Sequence, residues 1–105
     1  MSIDLADTHL QYLRRTLEEH VPDCEVWAFG SRIGKNAKPF SDLDLAIVSP
    51  ERVSVGRIAL LAEAFEESDL PMRIDILDWH TTNPSFQQQI AEHHEVVFRP
   101  KSLPD

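Results

Sequence analysis

Apolar and polar residues follow a helical period in three stretches of this chain. Over residues 5–20, Leu5, His9–Leu10, Leu13 and Leu17 recur at a spacing close to 3.6, which predicts a first helix with Asp7 or Thr8 as its N-cap. The same spacing predicts a second helix over residues 53–67. Because proline is favoured in the first turn of a helix, Pro84 predicts a third helix that runs to about residue 93.

Four shorter apolar runs predict β-strands. They cover residues 24–29, 43–48, 72–77 and 95–98. The order α-β-β-α-β-α-β is typical of an α+β fold, in which helices pack on a small mixed sheet. The 105 residues fit a single domain over residues 1–105.

The composition is that of an ordinary soluble domain, with 42% hydrophobic and 27% charged residues. No apolar run approaches the roughly 20 residues that span a bilayer. Residues 1–4 lack the basic and apolar segments of a signal peptide. Cys24 is the sole cysteine, so an intramolecular disulfide is excluded. These features predict a cytoplasmic protein with no membrane partner.

The net charge of −8 at pH 7 restricts the class of partner. Long nucleic acids are bound mainly through Lys and Arg, so this acidity disfavours direct nucleic-acid binding. It favours a small nucleotide held through metal ions, or a basic protein partner attracted electrostatically. The sequence leaves both a homodimer and a heteromer open.

Asp42 directly precedes the second predicted strand, and Asp44 is its second residue. Residues i and i+2 of a strand face the same side, so both carboxylates point the same way. Neighbouring like charges repel each other, and Mg²⁺, which prefers oxygen ligands, would stabilise them. Taken alone, however, such a pair more often marks a solvated strand edge.

Gly30 and Ser31 follow the first predicted strand, and ten residues separate Ser31 from Asp42. Glycine leaves backbone N–H groups open to a phosphate, and Ser31 lies where a helix would begin. Arg32 either reaches phosphate oxygens or belongs to a solvated basic loop. The alternative for Ser31 is an N-cap in an ordinary turn. The acidic pair that follows favours the phosphate-binding interpretation.

Asp75 lies in the third predicted strand among apolar residues. A buried and unpaired carboxylate is costly, and coordination of a shared metal ion would satisfy it. Arg73 shares a face with Asp75 and is expected to pair with it or to contact phosphate. Asp78 falls on the opposite face, so we expect it to end the strand or to cap the next turn.

Three carboxylates can hold two metal ions about 3.5–4 Å apart. One ion would position a triphosphate and the other would activate an acceptor hydroxyl, whose proton Asp75 is best placed to take. This chemistry is nucleotidyl transfer. The predicted catalytic residues and metal ligands are Asp42, Asp44 and Asp75, and the predicted nucleotide-binding residues are Gly30, Ser31 and Arg32.

Three segments resemble the minimal nucleotidyltransferase (MNT) domains of the DNA polymerase β superfamily. They are residues 28–32 (AFGSR), 41–48 (SDLDLAIV) and 73–76 (RIDI), joined by a helix-then-strand ending over residues 90–98. The spacing from the Gly-Ser pair to the D-x-D pair is similar to that of MNT antitoxins paired with HEPN toxins. The resemblance covers nearly the whole chain. The one departure is a short helical turn before Pro39, where the family usually has a helix.

The resemblance implies a polymerase β-like nucleotidyltransferase fold and a Mg²⁺-dependent transfer of AMP from ATP. The implied acceptor is a tyrosine of a HEPN ribonuclease, so the chain would be an antitoxin with a HEPN-type toxin as its partner. By match, Gly30 and Ser31 would hold the triphosphate, and Asp42, Asp44 and Asp75 would bind Mg²⁺. ATP is the expected nucleotide, although the residues leave another nucleoside triphosphate open.

Two other functions fit parts of the sequence. A binding module would neutralise its partner by direct complex formation with little or no catalysis, but it needs no three converging carboxylates. A metal-dependent hydrolase or glycosyltransferase would use the D-x-D pair, but the Gly-Ser turn at this spacing and the small size argue against it. Relatives that modify nucleic acids or antibiotics carry further domains, so we expect the acceptor to be another polypeptide.

Overall fold

Helices and strands alternate along the chain in the order that its apolar pattern predicts. The computed structural model describes residues 6–30 and 42–100. Its elements are α1 (Asp7–His20), β1 (Glu25–Phe29), β2 (Leu43–Val48), α2 (Val55–Glu66), β3 (Ile74–Asp78), α3 (Pro84–Glu92) and β4 (Glu95–Phe98). Among these helices, none is both long enough and apolar enough to cross a bilayer.

The strands form one mixed sheet in the order β3-β2-β1-β4. β1 pairs antiparallel with both β2 and β4, whereas β2 and β3 run parallel. A parallel pair needs a crossover connection, and α2 supplies it here. The expected α+β fold with a small mixed sheet is therefore confirmed.

The core divides between the two faces of the sheet. On the first face, α1 and α2 cover the sheet with fully buried side chains such as Leu13, Leu17 and Leu61. On the second face, Ile90 of α3 packs with Phe29 and with other, partly buried apolar side chains. The second face is thinner, because α3 is short and covers only part of it.

Two of the three helix starts differ from their predicted positions, whereas α3 begins at Pro84 as predicted. α1 begins at Asp7 after Ala6, and no side chain caps it, so the prediction that Asp7 or Thr8 is the cap was wrong. Asp7 lies instead inside the first turn, where its charge interacts favourably with the helix dipole. α2 begins at Val55 because the Ser54 side chain accepts a hydrogen bond from the third helical residue.

β3 is shifted towards the C-terminus relative to its prediction. It ends at Asp78, whose carboxylate Oδ1 accepts a hydrogen bond from the His80 N–H at 3.0 Å and starts a short 3-10 helix, Trp79–Thr81. Asp78 is buried at the end of the strand. Its predicted structural role, as a strand end and cap, is confirmed.

An ion pair joins the end of α1 to the start of α2. Arg57 donates to both carboxylate oxygens of Asp23, and its Nη2 also donates to the His20 carbonyl at 3.1 Å. The hydrogen bond from Arg57 lowers the pKa of Asp23, and the same bond raises the pKa of Arg57. Because the side chains are 37% and 65% exposed, solvent screening keeps the contribution of this pair small.

We expect Asp23→Asn to lower the free energy of unfolding at pH 7 by about 0.5–1 kcal/mol. The pKa of Asp23 is lower in the folded than in the unfolded chain, so its contribution is present above about pH 3.8 and is lost as the pH falls through the folded pKa. Urea unfolding from pH 7 to pH 2.5 measures this. The exposed Asp69→Asn is the control, and an effect of Asp23→Asn that persists at pH 2.5 would contradict the assignment.

Candidate active site

A row of residues crosses three strands on the second face of the sheet. Phe29 at the end of β1 is in register with Asp44 of β2, and Asp44 is in register with Asp75 of β3. Strand alternation places both carboxylates on the face that α3 only partly covers. The two predicted acids are therefore neighbours, and Gly30 follows directly at the end of β1.

Gly30 fits against the carboxylate of Asp44. Its φ is +86°, in the left-handed region where other residues are strained. A Cβ built on Gly30 would also collide with Asp44 Oδ2. The backbone conformation favours glycine here, and any larger residue would also have to move the Asp44 carboxylate. Gly30, the described part of the predicted phosphate-binding turn, lies directly beside Asp44.

Ser31 and Arg32, the other two predicted nucleotide-binding residues, lie outside the described residues. Their assignment stays a prediction.

The pKa of Asp44 is shifted by its surroundings. Burial raises the pKa of Asp44 above its usual value, and repulsion from Asp75 and from Asp42 raises it further. Asp42 is exposed and directly precedes β2. Three carboxylates therefore lie close enough together for Asp44 to be affected by both others. Because hard divalent cations prefer such oxygen donors, this set of residues fits Mg²⁺.

The carboxylate of Asp75 forms an ion pair with an arginine side chain. Arg73 Nε lies 3.3 Å from Asp75 Oδ1, and the two side chains are 77% and 45% exposed. The sequence left this pairing as one of two expectations, and it is the one observed. Exposed ion pairs contribute only about 0–1 kcal/mol, so a stronger ligand can displace Arg73.

In this structure, the carboxylates of Asp42, Asp44 and Asp75 are not grouped as a metal-binding site. Over residues 6–30 and 42–100, no three His, Cys, Asp or Glu side chains are grouped closely enough to hold a metal ion. To hold a cation together, Asp75 would have to leave Arg73 and the three carboxylates would have to move closer to one another. The strand register already fixes the backbone positions of Asp44 and Asp75 for such a change.

Two features of the candidate site could not be predicted from the sequence. One is the contact between Gly30 and Asp44, which depends on the register of β1 against β2. The other is a groove of about 720 Å³ between α2 and β3, which reaches Asp75. The groove exists because β3 lies at the edge of the sheet, and strand order leaves no local signal in the sequence.

We expect Gly30→Ala to destabilise the chain by at least about 1–2 kcal/mol, because alanine is strained at this φ and its Cβ would displace Asp44. Gly56→Ala is the matched control. Gly56 lies in α2 with no atom within 4 Å of an added Cβ, so alanine should stabilise by about 0.5–1 kcal/mol. Urea unfolding of both variants measures the difference, and equal effects would contradict the close contact.

Asp44→Asn should raise the thermal stability of the metal-free protein at pH 7, because it removes a repelled charge. Solvent screening limits the gain to about 1 kcal/mol or less, a few degrees in Tm. The raised pKa means that ionisation of Asp44 costs stability as the pH rises above about 3.8, so the gain should vanish below that pH.

The same pair of proteins tests the metal site without an activity assay. Mg²⁺ should raise the Tm of the wild-type chain, since a ligand that binds the folded state stabilises it, and should affect Asp44→Asn much less. Thermal melts with and without Mg²⁺ measure this. A less stable variant at pH 7, or an equal response to Mg²⁺, would contradict the assignment.

Comparison with known proteins agrees with this geometry. Residues 11–102 match the family model for the polymerase beta nucleotidyltransferase domain. The chain is also 45% identical over 95 residues to the probable protein adenylyltransferase MntA of Haemophilus influenzae. That alignment covers 90% of this chain and 83% of the relative.

Solved structures share the fold at lower identity. A toxin–antitoxin structure with AMP-PNP matches with a TM-score of 0.71 and 18% identity, over 91% of this chain and 76% of the other. The MntA–HepT toxin–antitoxin structure gives 0.65 and 17%, over 88% and 71%. A tri-AMPylated HEPN toxin of Shewanella oneidensis in complex with MNT antitoxin gives 0.65 and 19%, over 86% and 69%. The family match, the 45% identity and the shared fold together show that this chain belongs to the polymerase beta nucleotidyltransferase family.

Proposed function

We propose that this chain is a Mg²⁺-dependent protein adenylyltransferase that transfers AMP from ATP to a tyrosine of a HEPN toxin and so acts as an antitoxin. The observation that carries the proposal is the position of Gly30 against the carboxylate of Asp44, which is in turn in register with Asp75. The name of the Haemophilus influenzae relative and the AMPylated toxin in the Shewanella oneidensis complex support it.

The nucleotide would be bound where β1 ends. Gly30, Ser31 and Arg32 are proposed to hold the triphosphate, the first through open backbone N–H groups and the others through side chains. Asp42, Asp44 and Asp75 are proposed to hold a pair of Mg²⁺ ions. When bound, these ions supply charge neutralisation for the phosphates and for the acceptor oxygen.

The proposed reaction is a single displacement at the α-phosphorus of ATP. The tyrosine oxygen forms a bond to phosphorus, and the bond to pyrophosphate breaks. Asp75 takes the hydroxyl proton, because it lies at the outer edge of the site with its side chain 45% exposed. Arg73 leaves Asp75 when substrate binds and is free to contact phosphate. The products are tyrosine-linked AMP and pyrophosphate.

The remaining features of the chain agree with this role. Residues 1–105 would form one catalytic domain, and the toxin would supply the surface that binds the acceptor. ATP and a toxin that cleaves RNA are cytoplasmic, and we propose the same location for this chain. Cys24 is buried and free, and burial raises its pKa, so no redox role is assigned to it.

The proposal is tested by incubating the pure protein with Mg²⁺, ATP labelled at the α-phosphate and lysate of its own host. We expect one labelled protein band, with the label on tyrosine. Asp44→Asn should reduce the initial rate at least about 100-fold, since it removes a carboxylate from the reacting centre. Asp7→Asn, an exposed acid in the first turn of α1, is the matched control and should retain the wild-type rate.

Two results would overturn the proposal. The first is that no protein is labelled when each of the four nucleoside triphosphates, labelled at the α-phosphate, is tried in turn. The second is that Asp44→Asn and Asp7→Asn give equal rates. If the inactive Asp44→Asn still co-purifies with the toxin and blocks its ribonuclease activity fully, neutralisation occurs by complex formation and the chain is a binding module.

A further inference from the structure

The edge of the sheet next to the candidate active site has backbone groups that face outward. β3 is the last strand in the order β3-β2-β1-β4, and nothing else within residues 6–30 and 42–100 pairs with its outer side. The Leu43 N–H donates to the Arg73 carbonyl at 2.8 Å, and Leu43 is in register with Ile74. In a parallel pair, this register turns the N–H and C=O groups of Ile74 and Ile76 away from β2.

At the opposite edge of the sheet, formed by β4, a side chain binds an outward-facing carbonyl group. There, Arg14 of α1 crosses β4, and its Nε donates to the Val97 carbonyl at 2.8 Å. A charged side chain that occupies an edge carbonyl is one way in which proteins protect a sheet edge. β3 is therefore the edge that remains available for strand addition, and it is the edge that carries Asp75.

A groove of about 720 Å³, lined by both apolar and polar side chains, runs along this edge. Its floor and walls include Ile58, Ala62 and Phe65 of α2, with Ile74 and Ile76 of β3. Side chains alternate along a strand, so Ile74 and Ile76 face the groove while Asp75 between them faces the second side of the sheet. A strand added to β3 would obey the same alternation.

The charge around the groove selects for a basic occupant. Residues 63–75 contain five acidic residues and one arginine, and that arginine is paired with Asp75. Glu66 lines the groove, and the exposed Asp69 lies between two residues that line it. A groove that combines apolar side chains with acidic ones fits a segment with apolar residues and Lys or Arg beside them.

We propose that an extended, basic segment of the toxin binds the edge of β3 as an added strand and carries the acceptor tyrosine. Two apolar residues of the segment enter the groove beside Ile74 and Ile76. The tyrosine between them faces the other way, where cross-strand neighbours lie about 4.5–5.5 Å apart, and so lies beside Asp75. This inference rests on the proposed function, because it specifies how that acceptor is held.

The test compares two tryptophan substitutions on one helix. Ala62 is half-buried and lines the groove, whereas Ala59 is exposed and does not. The acceptor is the host protein that the wild-type chain labels with AMP. We expect Ala62→Trp to raise the KM for this protein at least tenfold, with the KM for ATP and the kcat within about twofold of wild type. Ala59→Trp should match the wild type in all three.

A charge variant covers the case in which Ala62→Trp does not fold. Glu66→Arg changes an exposed groove residue and should raise the same KM severalfold, while Glu63→Arg on the same helix, outside the groove lining, should have a smaller effect. NMR hydrogen exchange gives a direct readout. The Ile74 and Ile76 amides should exchange at least tenfold more slowly in the complex.

The outcomes separate this inference from the function on which it rests. If the wild-type chain labels its acceptor but both tryptophan variants behave alike, or the Ile74 and Ile76 amides stay unprotected, strand addition is wrong and adenylyl transfer stands. If the wild-type chain labels no protein, both proposals fail.

Discussion

The register of β2 against β3 holds two carboxylates side by side despite their repulsion. Leu43 and Leu45 are fully buried on the other face of the same strand, and they alternate with Asp44. A slip by one residue would expose both leucines, at roughly 1.5–3 kcal/mol for each. The repulsion at half-exposed Asp44 is smaller than this. Burial on one face therefore imposes the positions of the charges on the other.

The site itself is held by weaker interactions than its scaffold. Asp75 is paired only with an exposed arginine, and the second face is only partly covered by α3. Gly30 is the exception, because its backbone conformation is strained for other residues and an added Cβ would collide with Asp44. A glycine with a restricted position beside weakly held carboxylates would suit the proposed function, in which the site accepts a triphosphate, cations and an acceptor in turn.

Much of this arrangement follows from periodicity and spacing. The bounds of β2 and β4 and the start of α3 at Pro84 were predicted to the residue. The shared face of Asp42 and Asp44 stays a prediction, because Asp42 precedes β2. The other two helix starts were less accurate, since a start depends on whether a side chain such as Ser54 finds its capping partner. The strand order could not be predicted from the sequence, because packing decides which distant segments pair. For that reason the sequence predicted Asp75 as a candidate metal ligand but did not predict that it lies on an edge strand.

The open edge also has a consequence for how the chain behaves before it meets a partner. An unpaired strand can act as a template for another copy and so start aggregation. β3 has only five residues, and the acids along its groove would face their own counterparts in any edge-to-edge dimer. Self-association would bring like charges together, whereas a basic segment brings opposite ones. The same acidic residues would thus disfavour self-association and, in the proposed strand addition, would favour a partner of opposite charge.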